Sequence, residues 1–383
     1  MPPAQHPIRF NLATITEADE EAVLSALRSE HISGNGPFGR QAEEMLSEIH
    51  GGSRVLLTTS CTHALEMSAL LLELEPGDEV IVPAYTFVST ALAFLMHGGT
   101  PVFVDVREDT LNIDENLIEA AITPRTRAIC VVNYAGFGVN FEAIVGLCER
   151  YGLTLIEDNA HGLGGSYNGR ALGTFGAMST LSFHETKNIT CGEGGALVLN
   201  DPRLVERAEI LRDKGTNRTN FFRGQVDKYT WVGLGSSWVQ SEILAALLVS
   251  QLERLLEITA RRTEIWISYM EGLGELSDRA GVRLPYSEAG VGHPAHLFFL
   301  ILPEHIDRES FTRDLSERGV PAVFHYQSLP DSTFAKSSGL KSLDGNFPVS
   351  DQASQKLLRL PLHANLTRSQ VDAVVSAVKN LLG

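Results

Sequence analysis

The sequence has no surplus of basic residues, no paired cysteines and no long apolar run, and each absence removes a class of function. Its 31 Lys and Arg stand against 47 Asp and Glu, a formal net charge of −16. A nucleic-acid surface needs clustered Lys and Arg, so no nucleic-acid partner is expected. The four cysteines, Cys61, Cys130, Cys148 and Cys191, are scattered without CxxC spacing. That pattern predicts reduced thiols in a cytoplasmic protein, with neither a disulfide framework nor a metal site. No apolar stretch reaches the ~18 residues of a membrane-spanning helix, so no membrane partner is expected. Met1-Pro2-Pro3-Ala4-Gln5-His6 lacks the basic-then-apolar order of a secretory leader.

What is present is an ordinary globular composition: 383 residues, 43% hydrophobic and 20% charged. A chain of that length exceeds what one core usually serves, which predicts two domains. Short β-branched runs at 55–58, 79–82, 101–104, 128–132, 153–156, 180–183 and 196–199 read as strands. Helical patterns at 62–74, 88–96 and 141–151 fall between several of them. Continuously apolar strands separated by helices predict an α/β fold, a mostly parallel sheet covered on both faces. The connections near residue 190 are too short for crossover helices, so one strand there should be antiparallel. Leucines at helix spacing predict one long helix over 241–270, bridging to a second α/β unit. In that unit 296–302 and 321–324 read as strands, and 307–318 and 367–382 as helices, the last capped by Thr367. The boundaries follow: a large domain over 1–245 and a small C-terminal domain over 246–383.

In "SFHETKNITCGEGGALVLND", residues 182–201, a single lysine, Lys187, lies between two expected strands and is followed by Gly192, Gly194 and Gly195. Lysines are commonly solvated, so the neighbours decide its role. Ligands of open α/β sheets sit outside the carboxyl ends of the strands. After the strand at 55–58 come Ser60, Cys61 and Thr62, leading into a helix. This is an ordinary N-cap or, with its free N–H groups, an anion site. The strand at 153–156 runs into Asp158 and His161, where an aspartate is either a turn residue or a ligand. Beyond the strand at 79–82, Tyr85 and Phe87 are core residues or lie on a ligand ring. Gly162-Leu163-Gly164-Gly165 opens no helix and is no dinucleotide fingerprint, and Tyr167-Asn168-Gly169 reads as a turn. One cofactor, pyridoxal phosphate, uses all of these groups at once. A lysine amine condenses with its aldehyde, a carboxylate keeps its ring nitrogen protonated, an aromatic covers its ring and a helix start holds its phosphate.

The stretches "PGDEVIVPAYTFVSTALAF", "SFHETKN", "GEGGAL", "KGTNRTNFFRGQVDKYTWVGLGSSW" and "LPLHANLT" carry a resemblance that spans nearly the whole chain. The sequence resembles the DegT-type sugar-nucleotide aminotransferases, and within them the dTDP-4-amino-4,6-dideoxygalactose transaminases. The resemblance implies the aspartate-aminotransferase fold (fold type I) and pyridoxal 5'-phosphate as cofactor. It implies transfer of the amino group of L-glutamate to dTDP-4-keto-6-deoxy-D-glucose, in a homodimer with shared active sites. Lys187 matches the cofactor-linked lysine, Asp158 the ring-nitrogen carboxylate and Phe87 the stacking aromatic. His161 matches a residue near the ring hydroxyl, and Ser60, Cys61, Thr62 and Ser182 match the phosphate cradle. Asn217 matches an asparagine reaching the phosphate of the partner chain's site. Cys61 departs from the small residue common at its position. "FHYQSLPDS" departs from the Pro-Leu-His usual after the aromatic, a segment that lines the sugar side in relatives. Two other functions stay open: transfer to another keto-sugar nucleotide such as a UDP-4-ketopentose, and a regulator that binds the same ligands without turnover.

Overall fold

The computed structural model describes residues 7–285, 291–340 and 345–383; Met1–His6, read above for a leader, lie outside them. Among the described residues, the strands are β1 (Arg54–Thr58), β2 (Glu79–Pro83), β3 (Thr100–Val104), β4 (Thr126–Val132), β5 (Thr154–Asp158), β6 (Ser166–Tyr167), β7 (Arg170–Ala171), β8 (Met178–Ser182), β9 (Gly195–Leu199), β10 (Val291–Gly292), β11 (Phe298–Ile301) and β12 (Leu357–Leu360). Seven of them form the central sheet in the order β1-β9-β8-β5-β4-β2-β3. Pairing is parallel except along β9, which runs antiparallel to both β8 and β1. All seven strands read over residues 55–199 are present, and the antiparallel one is where the short connection required it.

Alternate side chains of these strands go to opposite faces. Leu56, Val80, Val82, Cys130, Ile156 and Leu197 pack on one side. Ile81, Val104, Ile129, Val131 and Leu155 pack on the other, continued by Val55, Leu57 and Val198. Burial on both faces is why these strands carry no polar alternation. Tyr167-Asn168-Gly169 makes the expected turn, with φ of 50° at Asn168 and 76° at Gly169 joining β6 to β7. Positive φ at both central positions fits the twist of a tight hairpin.

Two expectations need correction. The helix over 241–270 is two helices, Glu242–Glu253 and Leu255–Leu273, because the backbone opens at Arg254 (φ −103°, ψ 12°). The Arg254 side chain there turns to the buried Asp19 carboxylate and the Thr14 carbonyl, ties that leucine spacing does not report. The run 321–324 is no strand: only Val323 pairs, with Arg359. Pro321 has no N–H to add to a ladder, and the partner of β11 is instead β12. Among the described residues no helix is long and apolar enough to cross a membrane.

The antiparallel β9 brings its first residue, Gly195, beside β1 and the start of the helix Cys61–Leu71. A Cβ on Gly195 would lie 2.3 Å from the Cys61 nitrogen and 2.3 Å from the Ser60 carbonyl carbon, both backbone atoms that cannot swing aside. Gly195→Ala should therefore push this helix start off the sheet and destabilise the fold by about 1–3 kcal/mol, measured by denaturant unfolding.

Candidate active site

The carboxyl ends of β1, β2, β5 and β8 open onto one cavity of about 560 Å³. Its wall contains Ser60, Cys61, Thr62, Phe87, Asp158, His161, Ser182 and Lys187, eight of the nine residues singled out in the sequence. Asn217 is not in it. Asn217 starts the short helix Arg218–Phe222, and its Oδ1 accepts a hydrogen bond from the Thr230 N–H at 2.7 Å. Its expected role concerned the site of a second chain.

Lys187 lies in the loop between β8 and β9. That loop is closed by backbone bonds across its neck, Phe183 N–H to Gly194 O at 2.8 Å and Glu185 N–H to Gly192 O at 2.9 Å. A turn bond from Lys187 N–H to His184 O at 2.9 Å sets the lysine itself. Burial disfavours the ammonium and lowers Lys187 to about 8, against the opposing pull of the Asp158 charge. An amine so poised is still mostly protonated near pH 7, but its neutral, nucleophilic fraction is far larger than that of a solvated lysine.

Asp158 ends β5, the strand next to β8. Its carboxylate is 5% exposed. Oδ2 accepts from Thr90 Oγ1 at 2.7 Å, and Thr86 Oγ1 is 2.8 Å from Thr90 Oγ1; Oδ1 accepts from Ala160 N–H at 3.2 Å. Desolvation raises its pKa, and the Thr90 and Ala160 hydrogen bonds and the Lys187 charge only partly offset this. The neighbouring Glu157 goes to the opposite face, where its carboxylate accepts from Gly173, Phe175 and Gly176 N–H groups. One of the two adjacent acids thus holds a loop, and the other faces the cavity.

At the β1 end, Ser60 caps the helix Cys61–Leu71 by accepting from His63 N–H at 3.1 Å. Thr62 Oγ1 is 2.8 Å from Ser89 Oγ. Burial, and then the Asp158 charge, push the Cys61 thiol up to about 12, so it stays protonated. A helix start with exposed hydroxyls suits a phosphate.

His161 is buried, and its rings of contact were not legible in the sequence. Ala135 N–H donates to Nδ1 at 3.3 Å, which leaves the proton on Nε2, 3.2 Å from the Tyr326 hydroxyl. His296 stacks on His161 with centroids 4.2 Å apart, and His325 stacks on Tyr326 at 3.6 Å. Burial holds all three histidines well below their usual pKa, so they are neutral. Phe87, 54% exposed, sits at the cavity edge with its ring 6.1 Å from Tyr326. His325 and Tyr326 belong to "FHYQSLPDS", which docks on β2's exit through Leu329 N–H to Ala84 O at 2.8 Å. That stretch was marked by its departure from the family pattern; Thr90 and His296 carried no signal of their own.

These groups suit pyridoxal phosphate. A buried carboxylate that lacks a directly bonded cation asks for a protonated ring nitrogen, and a poised amine, an anion-binding helix start and an aromatic stand around the same space. The family model of the DegT/DnrJ/EryC1/StrS aminotransferases matches residues 13–379. The fold is similar to that of the aminotransferase TlmJ from Streptoalloteichus hindustanus, at 32% identity and a TM-score of 0.88, over 97% of this chain and 98% of that one. It is similar to the putative sugar aminotransferase Spr1654 from Streptococcus pneumoniae in its PMP form, at 28% identity and a TM-score of 0.89, over 98% of each chain. It also matches PseC of Helicobacter pylori, an aminotransferase involved in the biosynthesis of pseudoaminic acid, at 27% identity and a TM-score of 0.88, over 98% of this chain and 99% of that one. With a cavity built for this cofactor and a family match over nearly its whole length, the chain belongs to the DegT/DnrJ/EryC1/StrS aminotransferase family and is a pyridoxal-phosphate-dependent sugar aminotransferase.

Proposed function

We propose that the protein moves the amino group of L-glutamate to C4 of dTDP-4-keto-6-deoxy-D-glucose, giving a dTDP-4-amino-4,6-dideoxyhexose and 2-oxoglutarate. The observation that carries the chemistry is the pairing of the Lys187 amine and the Asp158 carboxylate around one cavity, at the ends of neighbouring strands. Bound pyridoxal phosphate supplies an aldehyde that takes up the donor's amine and a ring that draws off electrons. Asp158 keeps a proton on the ring nitrogen. Ser60, Cys61, Thr62 and Ser182 hold the phosphate, Phe87 covers the ring and neutral His161 stands beside it. Lys187 Nζ removes the proton from the donor's α carbon and, in the second half-reaction, delivers one to C4 of the sugar. Both half-reactions use one site, so the kinetics are ping-pong. We take residues 1–245 and 246–383 as the large and small domains, and the compartment as the cytoplasm.

Lys187 must be neutral to capture the cofactor's aldehyde, and its amine is protonated below about 8. Reconstitution of cofactor-free protein should therefore slow about tenfold for each pH unit below that value and level off above it. Stopped-flow absorbance measures the rate, and borohydride reduction followed by peptide mapping should find the label on Lys187 alone. A pH-independent rate, or a label elsewhere, removes Lys187 from this role.

The substrate reading is supported by "SFHETKN" and "FFRGQVDKYTW". Incubation with dTDP-4-keto-6-deoxy-D-glucose and glutamate, followed by NMR of the product, tests it. The departure at "FHYQSLPDS", with His325 and Tyr326 in the cavity wall, bears on the choice of acceptor, and His161 in the same wall is the residue that supports a second candidate, another keto-sugar nucleotide such as a UDP-4-ketopentose. An aminated UDP-pentose with no dTDP product would select that reading.

We also propose a homodimer in which Asn217 serves the partner's cofactor. The loop after it exposes Phe222, Trp231 and Leu234 at 70%, 78% and 67%, an apolar surface of the kind that chains cover by association. Mixed Lys187→Ala and Asn217→Ala chains, each inactive or weak alone, should regain part of the activity through hybrid sites. Light scattering that finds an active monomer would refute the shared site.

A further inference from the structure

Thr90 stands in the first turn of the helix Ser89–Met96, fully buried, and its hydroxyl donates to Asp158 Oδ2 at 2.7 Å. Hydroxyls within helices often turn back to a carbonyl one turn earlier. Thr263, Ser268 and Thr312 do so here, bonding the carbonyls of Thr259, Glu264 and Arg308. Thr90 instead reaches a carboxylate 68 residues away in the chain. The side chain one turn before it, the buried Thr86, lies 2.8 Å from its Oγ1. The neighbouring Ser89 turns to Thr62 at 2.8 Å, in the expected anion site. One helix start thus meets both the carboxylate and the anion-binding turn.

A hydroxyl has a single proton to give. With Asp158 ionised, the Thr90 proton is committed to Oδ2, so the Thr86 hydroxyl must donate to Thr90 Oγ1. Both protons then point along one chain toward the carboxylate, and each bond polarises the next. The positive end of the helix adds to this within its first turn, where Thr90 sits. Asp158 needs the support: burial raises its pKa, and the Thr90 bond is the first of the effects that hold it down. The titratable groups that act on it or feel its charge are Lys187, Cys61 at the start of the helix Cys61–Leu71, Cys130 on β4 and Tyr326. The helix of Thr90 carries none, and Glu157 goes to the opposite face. Burial pushes both thiols and the phenol up, so they are uncharged, and Lys187 is the cation among these four.

We propose that Thr90 is a positioning residue that keeps Asp158 ionised and fixed in the cavity wall, with Thr86 setting the direction of the Thr90 proton. Its consequence for catalysis rests on the role given to Asp158 above. With Oδ2 held by the helix, Oδ1 accepts one long bond, from Ala160 N–H at 3.2 Å, and keeps capacity for a ring nitrogen. Without the Thr90 proton the carboxylate is the stronger base. A proton shared with the ring nitrogen would then move to Asp158, and both half-reactions, which use one ring, would slow together.

The test uses the full chain and the variants Thr90→Val, Thr90→Ser and Thr86→Val. Cofactor-free protein labelled with carbon-13 at its aspartate carboxyls is titrated by NMR, the Asp158 signal being assigned by its loss in Asp158→Asn. Thr90→Val should raise the Asp158 pKa by about one to two pH units, a ten- to hundredfold change in proton affinity, the range for a lost charge-assisted hydrogen bond. Thr86→Val should raise it by less, and Thr90→Ser, which keeps the hydroxyl, should restore it. In holoenzyme, Thr90→Val should slow the single-turnover rates of both half-reactions by a similar factor and leave substrate affinity unchanged, with Thr90→Ser recovering the rates. An unchanged pKa in Thr90→Val, or a Thr90→Ser that behaves like it, would overturn the assignment. If Thr90→Val does not fold, Thr86→Val decides, and a pKa equal to that of the wild type refutes the hydroxyl chain. If the pKa rises while neither half-reaction slows, the role given to Asp158 fails and the part of Thr90 in holding its charge stands.

Discussion

A carboxylate taken out of water without a cation bonded to it is the constraint around which this site is arranged. Asp158 ends the central strand β5 at 5% exposure, with a threonine hydroxyl and one backbone N–H as its partners. Burial raises its pKa, and the charge of Lys187 across the cavity only partly offsets the effect. Desolvation lowers Lys187 in the same space. The same burial therefore brings an acid and a base toward one another's range, the situation that acid–base catalysis exploits. A protonated ring nitrogen between them would relieve Asp158, and that is the sense in which the site suits its cofactor.

Holding the lysine there is a matter of sheet topology. A parallel connection after β8 would need a crossover helix and would carry the chain away from the strand ends. The antiparallel β9 instead returns at once, and the intervening loop is cross-bonded at its neck by Phe183 and Gly194. The same strand places Gly195 against the helix start at Cys61, so the amine and the anion-binding turn are set by one piece of backbone.

The far wall of the cavity comes from the C-terminal half. The neutral, stacked rings of His296, His325 and Tyr326 form it, and Arg359 is the charge set among them. Tyr326 is bonded to His161 through its hydroxyl, and its N–H donates to the Tyr85 hydroxyl at 3.3 Å, so this wall is tied to the strand ends of the first half. The "FHYQSLPDS" segment, where the chain departs from its relatives, lies in this wall. Differences in acceptor choice within the family therefore have a place to act without altering Lys187 or Asp158.

The strands, their parallel order and the groups at their carboxyl ends were legible in the sequence, because buried strands must be apolar and the residues after them must be small, polar or reactive. Lys187, Asp158, Ser60 and Thr62 each follow such a run, and local pattern placed them at the strand ends, whereas Phe87 was singled out from Tyr85 only by the resemblance. Local pattern did not show the break at Arg254, where the side chain is bonded to Asp19 far away in the chain. Nor did it show β12 as the partner of β11, because one short apolar run looks like another until pairing selects it. Thr90, His296 and Arg359 are an ordinary helix residue, a strand-edge histidine and a strand arginine when read along the chain. Their proximity to Asp158, His161 and Lys187 was decided by the tertiary structure alone, because desolvation and hydrogen-bond partnership depend on distance in space and leave no period in the sequence.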